Sequence, residues 1–206
     1  MLKTYCFILL IALTFNGAGQ SNIDWTAGWD NKTLNQARNL TSSTMNEVEK
    51  NVLFYCNLAR MKPKLFLTTT LPLYVEVRGV KNSSYLSSLK RFLKKSKKLP
   101  PFVANDSLHK VAEIHAVRSG KKGTTGHQNY SKRFNYVGDV FPTNGENCDY
   151  GNPKAIDIVF SWLIDEGIAN LGHRKNVFDK EFSHAAVSIA PHKSYQVNAV
   201  MTFGSR

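Results

Sequence analysis

The stretch "AIDIVFSWLIDEG", Ala155 to Gly167, constrains the fold of this chain more than any other. Between Ile156 and Ile164 it is apolar on nearly every side. A helix without a polar face has to be enclosed by other elements rather than laid on a surface. It falls well short of the roughly 20 apolar residues that cross a bilayer, so its surroundings must be protein. Asn152 stands where a cap is expected, Pro153 at the first helical position and Gly167 at the stop.

Three further helical patterns supply partners. Thr44 followed by Glu47 matches a capping box, and the stripe Val48, Val52, Cys56, Ala59 continues to Met61 before Pro63, which predicts a helix over 45–61. In "SSYLSSLKRFLKKSKKLPP", Tyr85, Leu86, Leu89, Phe92 and Leu93 recur at helical spacing. Lys90, Arg91, Lys94, Lys95, Lys97 and Lys98 fill the other positions. This basic amphipathic helix reads either as a core helix with a solvated face, the reading preferred here, or as a dock for an anionic surface. "ANDSLHKVAEIHAVRSG" predicts another helix, with Leu108, Val111, Ala112 and His115 on one face and Gly120 as its end.

Residues 66–80, with Pro72 and Gly79, read as a short strand or extended loop. "HAAVSIAP" and "YQVNAVMTFG" read as paired strands. Helices first and strands last, without regular alternation, imply a layered α+β domain.

The N-terminus, "MLKTYCFILLIALTFNGAG", has Lys3 ahead of an apolar run and small residues after it, the pattern of a secretory signal peptide cleaved near Gly19. Cys6 precedes the apolar run, which argues against a lipid-modified cysteine. The expected organisation is a signal peptide over 1–19, a polar irregular arm over 20–43 and one domain over 44–206. No transmembrane segment is expected after cleavage, and the protein is expected to be secreted or extracytoplasmic.

Lys and Arg number 27 against 15 acids, a formal charge of +12, which favours anionic partners. Export and the lack of a recognisable nucleic-acid-binding motif argue against nucleic acid. Cys56 and Cys148 are the pair that an oxidising compartment could join, although the helical stripe makes Cys56 a small core residue.

Four polar side chains border regular elements: His127 in "TTGHQNYSKRF", Glu146 in "TNGENCDYG", Asp165 in "LIDEG" and His173 in "LGHRKN". Asp165 falls in the last turn of its helix, where the macrodipole disfavours an anion by roughly a few tenths of a kcal/mol. It shares a face with Ile158 and Trp162, whereas Glu166 falls with Val159 and Leu163. Two imidazoles and two carboxylates could bind zinc or form a metal-free ion-pair cluster, and spacing does not decide between them. His115, His184 and His192 read as structural or solvent-facing. The chain has no HExxH, phosphate-binding glycine loop or glycine-x-serine-x-glycine elbow.

"GENCDYG", "AIDIVFSWLIDEG", "LGHRKNVFD" and "HAAVSIAP…VNAVMTFG", preceded by "FYCNLARMKPKLF" and "LHKVAEIHAVRSG", resemble the CAP superfamily of cysteine-rich secretory, antigen 5 and pathogenesis-related 1 proteins. This SCP domain, in its bacterial secreted branch, is matched over about residues 45–204. The resemblance implies a three-layer α-β-α sandwich with a central antiparallel sheet. It also implies a cleft of two histidines and two acids: His127, Glu146, His173 and a helix-end acid. That last position is Asp165 here, with Glu166 next to it, where the family usually has glutamate.

The resemblance further implies secreted proteins that bind lipids, sterols, proteins or envelope components, with no general enzymatic activity. The leading expectation is therefore a non-enzymatic binding module for an anionic lipid, envelope polymer or protein. The alternative is a metal-assisted hydrolase in which His127 and His173 hold Zn2+ and Glu146 or Asp165 activates a water. The absence of a nucleophile and of a helical His-x-x-x-His pair counts against it.

Overall fold

The computed structural model describes residues 23–38, 42 and 44–205. The signal peptide expected over 1–19 lies outside the described residues, and no helix among those described is long and apolar enough to cross a membrane. In chain order the elements are α1 (Asn31–Arg38), α2 (Glu47–Met61), α3 (Pro63–Thr68), α4 (Thr70–Arg78), α5 (Ser84–Lys95), β1 (Val103–Ala104), α6 (Asp106–Lys122), α7 (Tyr130–Phe134), β2 (Thr143–Tyr150), α8 (Ala155–Ile164), α9 (Gly172–Val177), β3 (His184–His192) and β4 (Gln196–Ser205).

The strands form one sheet in the order β1-β3-β4-β2. β4 is antiparallel to both β2 and β3, but β1 runs parallel to β3, so the sheet is mixed rather than purely antiparallel. A chain entering the sheet directly ahead of α6 is carried back along that helix, and it reaches β3 only after β2 and α8 have been laid down. Beyond the two-residue β1, the edge N–H groups of β3 are taken by α2 and its approach: Ile189 donates to Glu49 Oε1 at 2.8 Å and Val187 to Met45 Sδ at 3.4 Å.

Alternation along β4 separates the two outer layers. Asn198 and Thr202 face α6, donating to Ser119 Oγ at 2.9 Å and to the Leu108 carbonyl at 2.8 Å. Ala199, Met201 and Phe203 point the other way, into the main core with Val52, Cys56, Val159 and Trp162. The α-β-α sandwich expected from the sequence is therefore present. The apolar helix is enclosed as its composition requires, with Ile158, Val159, Phe160, Trp162 and Leu163 all buried.

Several local expectations are corrected. Within the segment read as an irregular arm, residues 31–38 form α1, because Leu34 and Ala37, with Trp29 just before them, reach the main core. Residues 66–80 are neither strand nor loop but the helices α3 and α4, and Pro72 is tolerated in the first turn of α4. The cap of α2 is Asn46 with Glu49 rather than Thr44 with Glu47; Thr44 instead donates to Asp106. Asn152 bonds the Asp149 carboxylate instead of capping α8.

Gly120 does not end α6, which runs on to a left-handed Gly123. Gly120 is needed for contact: a Cβ there would lie 2.1 Å from the Pro191 carbonyl oxygen. Cys56 and Cys148 are both free buried thiols, Cys56 in the main core and Cys148 in a smaller cluster with Ala112, Ala116 and Val200 on the α6 side.

Candidate functional site

β2 is the edge strand on which the site is built, and sequence reading did not anticipate it. Its residues "TNGENCDY" are poor strand formers, so pairing with β4 makes the strand. Glu146, Cys148 and Tyr150 project toward α6, and Asn147 and Asp149 toward α8 and α9.

Glu146 is buried and has two basic partners. His127 Nδ1 lies 2.8 Å from Oε1, and Arg133 forks the carboxylate, with Nη2 at 2.9 Å from Oε1 and Nη1 closing on Oε2. Arg133 belongs to α7 and is only 2% exposed; its Nε donates to the Gln128 carbonyl at 3.1 Å. Burial alone would push the Glu146 carboxyl up, but the hydrogen bonds from His127 and Arg133 and the Arg133 charge hold it below its usual value.

His115 stands behind this group. Its Nε2 is 2.8 Å from the Gly126 carbonyl and 3.8 Å from Glu146 Oε1, and burial lowers its pKa. Cys148 Sγ is 3.8 Å from Glu146 Oε1, and its thiol is driven upward by burial and by the same carboxylate.

The second pair lies across β2. Asp165 is the left-handed C-cap of α8, with φ +61°, and this turns its side chain away from the helix it ends. Oδ2 accepts the backbone N–H groups of His173 at 3.0 Å and Arg174 at 3.2 Å, while Oδ1 meets His173 Nδ1 at 2.7 Å. The dipole conflict expected at this acid is resolved because it serves as an acceptor for α9. The end of α8 is neutralised by the buried Arg174 guanidinium, which donates to the carbonyls of Leu163 at 2.6 Å and Ile164 at 2.8 Å. Glu166 accepts the Ser83 hydroxyl at 2.7 Å.

Asn147 ties the halves together, donating to the His173 carbonyl at 3.0 Å and accepting from Asn176 at 2.9 Å. The four sequence candidates thus form two His–carboxylate pairs, His127–Glu146 with its acid on β2 and His173–Asp165 at the junction of α8 and α9. Arg133, His115 and Asn147 were not among them. Asn147 was legible as the neighbour of Glu146 in "GEN", whereas nothing in the local sequence marks Arg133 or His115 as its partners.

In both pairs Nδ1 is turned to a carboxylate, which leaves Nε2 as the nitrogen available to a ligand. This is the way a second carboxylate commonly orients a metal-binding histidine. Each acid thus orients the ring it bonds, Glu146 that of His127 and Asp165 that of His173. Glu146 Oε1, His115 Nε2 and Cys148 Sγ lie within 4.8 Å of one another, close enough together to share an ion. Arg133 on the same carboxylate and an upward-shifted thiol oppose a cation there.

The cysteine-rich secretory protein family model matches residues 31–203. Comparison with curated proteins gives no match. Among solved structures the fold is similar to an outer surface protein of Borrelia burgdorferi, with 19% identity, TM-score 0.45, 66% of this chain and 90% of that one covered. It is also similar to an extracellular protein of Bacillus anthracis str. Ames that contains an SCP domain, with 18% identity, TM-score 0.44 and coverage of 59% and 39%. A third is a cysteine-rich secretory protein of Staphylococcus aureus subsp. aureus Mu50, with 14% identity, TM-score 0.41 and coverage of 61% and 40%. The chain spans about two fifths of the length of the last two. With the family model matched over residues 31–203, on a three-layer sandwich whose edge strand supplies Glu146, the chain belongs to the CAP, or cysteine-rich secretory protein, family.

Proposed function

We propose that this CAP domain is a non-enzymatic binding module acting outside the cytoplasm on an anionic envelope partner, with a cleft that holds a divalent metal through His127 and His173. The observation that carries the non-enzymatic reading is the state of the two acids. Glu146 is forked by Arg133 and bonded to His127, and Asp165 accepts two backbone N–H groups and His173. A general base needs a carboxylate with a free lone pair and a pKa near the working pH. Glu146 is instead held below its usual value. A bound ion would supply Lewis acidity or a structural tie. Among the described residues the two pairs supply two oriented imidazoles, and no activated nucleophile stands beside them.

Calorimetric zinc titration of the purified protein beside a His127→Ala, His173→Ala double variant tests the cleft. One-to-one binding lost in the double variant, with no hydrolysis of activated esters or phosphodiesters by the zinc form, is the expected result. Turnover that disappears with Glu146→Gln or Asp165→Asn would establish the hydrolase reading instead.

A further inference from the structure

The positive charge of this chain is concentrated in one part of it. Residues 50–105 contain twelve Lys and Arg and a single acid, Glu76, while the remainder is nearly neutral, with 15 cations and 14 acids. Part of that charge is consumed internally. Arg60 is buried and donates to the carbonyls of Pro100, Val177, Asp179 and Phe182, and Arg78 pairs with Asp157 at 2.8 Å.

Much of the rest converges on a groove of about 600 Å3 between the start of α3 and the segment that follows α5. Lys62 and Lys64 form one wall and Lys95, Lys97 and Lys98 the other, over a floor that includes Leu65. Lys62 is paired with Asp30 at 2.6 Å. Lys64, Lys95, Lys97 and Lys98 are exposed, and among the described residues none has a carboxylate within 4.0 Å. The second wall is fixed in place, because Leu99 N–H donates to the Arg60 carbonyl at 2.9 Å and Pro100 accepts from Arg60 Nε at 3.0 Å.

Resting on the reading of an anionic envelope partner, we propose that this groove binds one strand of a linear polymer carrying repeated phosphate charges. Like charges held on two walls around a low-dielectric floor focus the field along the line between them. A strand lying in that line meets lysines on both sides. Lysine acts as a point charge for phosphate, and the groove contains no arginine fork of the kind that selects a planar carboxylate.

A bilayer is disfavoured by shape and by burial. The groove is concave, and the apolar positions of α5, Leu86, Leu89 and Leu93, are spent on the core. The exposed large hydrophobic residues, such as Val117, Tyr136 and Ile168, do not line it.

The test is fluorescence anisotropy of the whole protein with labelled poly(glycerol phosphate), and sedimentation with vesicles of phosphatidylglycerol in phosphatidylcholine. One variant carries Lys64→Glu, Lys95→Glu, Lys97→Glu and Lys98→Glu. A control of equal charge carries Lys121→Glu, Lys122→Glu, Lys154→Glu and Lys193→Glu, all exposed and outside the groove. Wild type and control should bind the polymer, and the groove variant should lose at least tenfold in affinity. Its salt dependence should be shallower by about three in log–log slope, at about 0.7 per neutralised single-strand phosphate.

Should the fourfold Glu variant not fold, the same four positions changed to Gln give the same ordering with a smaller loss. Equal loss in the control and the groove variant, or unaltered binding in both, overturns the groove while leaving an anionic partner in place. Vesicle binding without polymer binding overturns the polymer as occupant. Binding to neither overturns the groove and the anionic-partner reading together.

Discussion

Replacing Arg133 by Met tests whether Glu146 is the electrostatic centre of the site. The guanidinium is 2% exposed and makes two of the four side-chain hydrogen bonds to the carboxylate. Removing one partner of such a buried pair costs about 3–5 kcal/mol, because the remaining charge is left in low dielectric. Protonation limits the ionic part of that cost. From the ordinary carboxyl value of 4.5, neutralising Glu146 at pH 7 costs about 3.4 kcal/mol, and at pH 5.5 about 1.4 kcal/mol.

The sign follows from linkage. In wild type the folded-state pKa is depressed, so its contribution is present above 4.5 and is lost as pH falls through the folded value. In the variant, burial raises the folded value, and stability falls as pH rises above 4.5. The stability difference measured by urea unfolding should therefore widen by about 2 kcal/mol between pH 5.5 and pH 7. The double variant Arg133→Met, Glu146→Gln should lack that widening and show only the pH-independent packing loss. A difference flat across this range, or under about 1 kcal/mol at pH 7, would refute the assignment.

Other expectations follow from single contacts. Gly120→Ala forces a methyl onto the Pro191 carbonyl and should cost about 1–3 kcal/mol, lowering Tm by several degrees in calorimetry; an unchanged Tm would show that the close approach relaxes freely. Arg60→Met strands the carbonyls of Pro100, Val177, Asp179 and Phe182 and should cost more than about 3 kcal/mol by denaturant unfolding. Burial lowers the His115 pKa, so the folded state resists charging it, and stability should decline as pH drops below the ordinary value of 6.5. His115→Gln should flatten that part of the profile. Cys56, pushed up to about 12 by burial, and Cys148, also shifted upward, should both resist a disulfide-exchange reagent until the protein is unfolded.

What the sequence determined by itself was whatever a local pattern encodes. The all-apolar run of α8 required enclosure, the β-rich C-terminal segments required pairing, and the ordered motifs singled out His127, Glu146, Asp165 and His173. Proximity in space had no such local signal. α1 was hidden because a few apolar residues anchor it to a core assembled mostly from distant segments. α3 and α4 were hidden because Pro72 and β-branched residues mimic an extended segment. β2 exists because β4 offers it a hydrogen-bonding edge, against the preferences of its own residues. The role of Asp165 was decided by one left-handed residue: it took the acid off the unfavourable end of α8 and set it against the N–H groups of α9. Arg133 closes on Glu146 because burying a carboxylate requires a compensating charge, and only the folded chain determines which of its 27 basic residues supplies it.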